Sequence, residues 1–142
     1  QDATEEEINQ SFDRLNRNVL RLTPQELRHA RFDGRFIRLV TELVEDPFWE
    51  DNCISTRATI RRMRDVEFVS DLFLLTMNGI QTSNKDSLDQ AYADYDEEIP
   101  DEEQHRRKFE KIKDVIKKSQ FGHMLNEIEV LFRLLYAMVC ID

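Results

Sequence analysis

Glycine and proline are scarce in this 142-residue chain, three of each, which excludes glycine-rich, collagen-like and turn-dense architectures. Cysteine occurs only at positions 53 and 140. One distant pair is no disulfide framework, so Cys53 and Cys140 are expected to be buried, reduced thiols of a cytoplasmic protein. No run of eighteen apolar residues occurs, so no membrane partner is expected. Lysine is missing before Lys85: every fixed side-chain cation in the first half is an arginine, the residue suited to planar, bidentate pairing with carboxylate or phosphate.

Several catalytic signatures are also missing. There is no glycine-rich phosphate loop and no Gly-x-Ser-x-Gly elbow. His29, His105 and His123 have no Cys or His at zinc-ligand spacing. Asp94, Asp96 and Glu98 alternate as calcium ligands do. However, Ile99 stands where such a loop needs glycine, and His105 stands where it needs a closing Glu, so no metal is expected.

What the chain does have is 40% hydrophobic and 35% charged residues, the make-up of a helical protein. Its net charge of -9 argues against a nucleic-acid interface spread over the whole surface. The charge is uneven. Seven arginines fall between Arg14 and Arg38, and nine carboxylates without a base fall between residues 86 and 103. The simplest expectation is that the arginine half pairs with the acidic half, or with a domain outside the chain.

Apolar residues recur at helical spacing, and no period-two run competes with them. The expected fold is all-α: one domain over residues 1–142, an irregular or orthogonal array of six or seven helices. A first helix over 4–16 starts at Thr4 and carries Ile8, Phe12 and Leu15, with Asn16 as its expected C-cap. The best-specified stretch follows, Leu22-Thr23-Pro24-Gln25-Glu26-Leu27-Arg28. Thr23 is an N-cap, Pro24 fits the first helical position and Glu26 completes a capping box. Leu22 and Leu27 are expected to close as a hydrophobic staple. Asp33-Gly34 breaks the chain before a helix over 35–45, which separates Arg28 and Arg31 from Arg35 and Arg38.

Asp46-Pro47 stops that helix or starts a short one, and Trp49 is expected to plug the core beneath the connection. A basic helical run from Ser55 or Thr56 reaches Arg64, where Asp65 is expected to cap the next helix. That helix, 65–77, is apolar on nearly all sides and must be central. Later helices are expected over 86–95, 101–119 and 123–140, the last as a core helix or an oligomer face.

Taken together, Phe12-Asp13-Arg14-Leu15-Asn16, Leu22-Thr23-Pro24-Gln25-Glu26-Leu27-Arg28, the nearby Gly34-Arg35-Phe36 and, as the next helix start, Arg62-Met63-Arg64-Asp65-Val66-Glu67-Phe68-Val69 resemble, over roughly residues 8–80, the signature of the domain-of-unknown-function 262 family. That family includes GmrSD-type, modification-dependent restriction and phage-defence proteins. Its nucleotide-binding motifs, Asp-Gly-Gln-Gln-Arg and Pro-x-x-Gln-Arg, lie upstream of this signature and are absent from the chain. The resemblance therefore implies the helical, C-terminal portion of a larger protein acting on DNA, lacking the upstream domain that binds GTP or ATP. A nuclease domain and DNA become partners of the parent.

On this reading, Arg14, Asn16, Gln25, Glu26 and Arg28 adjoin the nucleotide-binding domain, with Arg14 or Arg28 touching phosphate or joining the two parts. Otherwise the same arginines pair with Asp13, Glu26 and Glu42 on a solvated surface. The competing function is a helical interaction or oligomerisation module. A complete small enzyme has no motif in its favour.

Overall fold

Thr23 opens the second helix as the sequence requires. Its hydroxyl accepts from the Glu26 amide, and the Glu26 carboxylate accepts from the Thr23 amide at 2.5 Å. The computed structural model of the chain describes residues 4–18, 21–80, 85–119 and 125–139. Nine helices lie within them: α1 Glu5–Asn18, α2 Pro24–Arg31, α3 Arg35–Leu43, α4 Pro47–Asp51, α5 Arg57–Arg61, α6 Arg64–Asn78, α7 Lys85–Asp94, α8 Glu102–Ser119 and α9 Leu125–Val139. The chain is all-α. The count exceeds the expected six or seven because Asp46 and Thr56 cap two short helices, α4 and α5, each separate from the longer helices beside it.

Helix α6 is central, as its apolar sides require: α2, α3, α5, α7, α8 and α9 all pack on it. An unbroken path of ring contacts threads the core. Tyr92 on α7 meets Phe36 on α3 at 4.9 Å, Phe36 meets Phe73 on α6 at 6.3 Å, and Phe73 meets Phe109 on α8 at 5.5 Å. Phe109 meets Phe132 on α9 at 5.2 Å and Trp49 on α4 at 5.9 Å. Edge-on and tilted pairs of this kind add to burial by matching ring edge to ring face. Trp49 is the expected plug: it is fully buried, and its indole N–H donates to the Leu43 carbonyl at 2.8 Å.

Several local expectations are corrected. Helix α1 runs on to Asn18, so Asn16 is not its C-cap. Leu22 and Leu27 are 56% and 50% exposed, so the staple does not bury them. Asp65 does not cap α6: Met63, in the left-handed region at φ 51°, precedes the helix, and Asp65 is its second residue, buried. Cys53 is exposed, because it sits in the tight turn after α4 with φ 60°. Cys140 and His123 lie outside the described residues.

Gly34 is required by a close approach. The first amides of α3 have no side-chain cap; Arg35 and Phe36 donate them to the carbonyls of Asp96 and Tyr95, at 2.6 and 3.1 Å. A Cβ on Gly34 would overlap the Asp96 carboxylate and its backbone carbonyl. Gly34→Ala should therefore destabilise the chain by about 1–3 kcal/mol. Thermal denaturation checks this, and an unchanged midpoint would mean that the chain after α7 does not cap α3.

Candidate functional site

Helix α2 docks with its polar side inward. Gln25 is fully buried and Arg28 is 2% exposed, whereas Leu27 and Ala30 face out. The buried groups are satisfied in sequence. Ser70 spends its proton on the Val66 carbonyl at 2.7 Å, so the Tyr92 hydroxyl, 2.8 Å away, donates to Ser70. Tyr92 in turn accepts from the Gln25 amide at 2.7 Å. Arg28 donates to the Gln25 carbonyl oxygen and to Glu67, both at 3.0 Å, and to Asp89 at 2.6 Å. One connected network thus joins α2, α6 and α7, and burial pushes the Tyr92 phenol above its ordinary pKa.

The same helix is fastened at its start to the α5–α6 junction. Thr23 donates its hydroxyl to the Arg62 carbonyl at 3.1 Å, Arg62 donates to the Arg21 carbonyl at 2.5 Å, and its guanidinium lies 3.3 Å from Glu26. Glu26 is held below the usual carboxylate range, first by the Thr23 amide. Two clefts flank this arrangement. One, of about 420 Å³, runs past Thr23, Gln25, Arg62, Arg64 and Phe68. The other, of about 220 Å³, lies between α6, α7 and α9, lined by the apolar Leu72, Leu75 and Ala91 and by the charged Asp94, Glu129 and Arg133. Phe68 and Asp71 line both. Arg133 is already taken by Glu129 at 2.9 Å.

The structure therefore brings Gln25, Glu26 and Arg28 together and separates Arg14 from them in character. Arg14 is exposed on α1 and has no ion pair among the described residues; the Asn16 side chain lies outside them. Arg28, with its side chain 3% exposed, meets Glu67 and Asp89, while Glu26 meets Arg62; the Asp13 side chain lies outside the described residues. Glu42 instead pairs with Arg106 at 2.8 Å. The expectation that the arginine half pairs with the acidic block holds for Arg28 with Asp89 and for Arg35 with Glu102. Nothing in the local sequence marks Tyr92, Ser70 and Asp89 as partners of α2.

The ionisable groups give the fold an acid limit. Hydrogen bonds from Arg35 and Arg106 hold Glu102 and Glu42 below the ordinary 4.5, against the opposing effect of burial. Burial, with Lys108 adding, pushes His105 below 6.5, and its Nδ1 has no hydrogen-bond partner among the described residues. For both kinds of group the unfolded chain binds protons first, so stability is present above the unfolded pKa and is lost as pH falls. The melting temperature should begin to fall below about pH 6.5 through His105 and fall steeply below about 4.5 through the carboxylates. His105→Gln should remove the early limb alone. A profile unchanged by His105→Gln would assign that limb elsewhere.

Among the described residues no group of three or more His, Cys, Asp or Glu side chains could hold a metal ion, and no helix is long and apolar enough to cross a membrane. No family model, curated protein or solved structure matches the chain.

Proposed function

We propose that this chain is the helical accessory part of a nucleotide-dependent restriction or phage-defence protein acting on DNA in the cytoplasm. In this reading GTP or ATP binding and DNA cleavage are carried by other segments, an upstream nucleotide-binding domain and a nuclease domain. The supporting observation is the joining of two of the stretches that carry the family resemblance. Residues 22–28 and 62–69 are distant in sequence, yet Thr23 bonds the Arg62 carbonyl, Arg62 meets Glu26, and Arg28 meets Glu67. Such a clamp fixes α2 as a rigid support. Since Gln25, Glu26 and Arg28 are consumed by it, the candidate left for an adjoining domain among the described side chains is Arg14, exposed on α1.

The test is made in the parent protein. Its reading frame should contain Asp-Gly-Gln-Gln-Arg upstream, and Arg14→Ala should weaken nucleotide-dependent activity at least about tenfold, roughly 1.4 kcal/mol, without changing the melting temperature. A frame without the motif removes the reading. A second reading, a homo-oligomerising module, is favoured by Val130 and Leu134, which lie one turn apart on α9 at 54% and 57% exposed. It requires a mass in solution that rises with concentration and that Leu134→Glu returns to the monomer.

A further inference from the structure

Among the described residues, Arg28, Arg35, Arg38, Arg62, Arg106, Arg107 and Arg133 each meet a carboxylate. Arg14, Arg21, Arg31, Arg57, Arg61 and Arg64 meet none among the described residues, although acids outnumber bases by nine in the chain; all six are exposed, and Arg57, Arg61 and Arg64 are the three that lie together in sequence, on α5 and at the start of α6. Arg57 and Arg61 stand one turn apart on α5, on one face. Arg64 begins α6 just beyond the left-handed Met63, and Arg62, by bonding the Arg21 carbonyl, holds a further exposed arginine against the same junction. From residue 52 to residue 64 the sequence has no carboxylate, and Asp65 beyond it is buried.

We propose that Arg57, Arg61 and Arg64, with Arg21 beside them, form a contact surface for the phosphate backbone of a nucleic acid. Arginine offers forked donors that match phosphate oxygens, and three of them free of carboxylates retain that capacity. An anionic membrane suits the surface less well. Ile60, 55% exposed, is the large exposed apolar residue of the five-residue α5, far short of an amphipathic face. The proposal deepens the reading above and rests on it only for the choice of DNA as the polyanion.

The experiment is fluorescence anisotropy of the full chain with a short labelled duplex DNA. Affinity should fall in the non-specific range of about 10⁻⁶–10⁻⁴ M, and three neutralised phosphates make Kd rise roughly 40-fold between about 50 and 200 mM salt. Arg57→Gln, Arg61→Gln and Arg64→Gln should each lower the salt slope by about one, and the triple variant should lose binding. Arg38→Gln and Arg107→Gln, at exposed paired arginines, should bind as the parent does. Single-stranded DNA should bind with the shallower slope of about 0.7 per phosphate.

Equal binding by the triple variant, or binding to phosphatidylserine vesicles without binding to DNA, overturns the proposal. So does an absence of DNA binding, which leaves the accessory reading to be decided by the parent frame.

Discussion

Phe73→Asp should leave the chain without a cooperative thermal transition. Phe73 is fully buried on the central helix and meets Phe36 on one side and Phe109 on the other, so it is the midpoint of the aromatic path through the core. Removing the ring costs about 3–5 kcal/mol in lost transfer and cavity energy, and an unpaired buried carboxylate adds several more. A domain of this size has about 5–15 kcal/mol in all. Phe73→Leu keeps the site apolar and should still fold, with a lower midpoint. Circular dichroism against temperature checks both, and a cooperative Phe73→Asp variant near the parent's midpoint would mean that the core lies elsewhere.

Lys113→Ala should be the next most damaging change. Lys113 is fully buried on α8, its Nζ 2.5 Å from Asp46 and 3.0 Å from Glu110, and about equally far from the rings of Phe48, Trp49 and Phe109 at 5.7–5.8 Å. Burial pushes Asp46 up, but the Lys113 hydrogen bond and the Phe48 amide together bring it below its ordinary value. Asp46 also caps α4, so losing Lys113 strands a carboxylate that anchors a helix. Breaking such a pair costs about 3–5 kcal/mol, or roughly 10–20 °C. Lys111→Ala, at an exposed neighbour, should stay within about 0.5 kcal/mol. In the double-mutant cycle with Asp46→Ala, the two losses should be far from additive. Equal midpoints for Lys111→Ala and Lys113→Ala would contradict the buried pair.

Local chemistry was legible in the sequence, and distant polar pairing was not. The Thr23 capping box, the Gly34 break, the Asp46-Pro47 start and the centrality of residues 65–77 each depend on neighbours a few positions away or on apolar density, which a sequence displays. The inward side of α2 is not legible from hydrophobicity, which would select Leu27 and Ala30, whereas Gln25 and Arg28 find Tyr92 and Asp89 at separations of 67 and 61 residues. Lys113 was overlooked for the same reason, its partner Asp46 lying 67 residues back. Asp65 matched the chemistry of a cap, but the left-handed Met63 set the helix start earlier. Of the candidate residues, the sequence located a rigid α2 and its polar side chains, and left open whether they face a partner or the interior.

The central claim is that this chain supports chemistry performed by other segments. Turnover of GTP and ATP by the purified chain, with magnesium and with or without DNA, tests it most directly. The account predicts no hydrolysis and no DNA cleavage above the buffer rate. Metal-dependent turnover that Asp71→Asn abolishes, removing the carboxylate shared by both clefts, would contradict it and make the chain an enzyme in its own right.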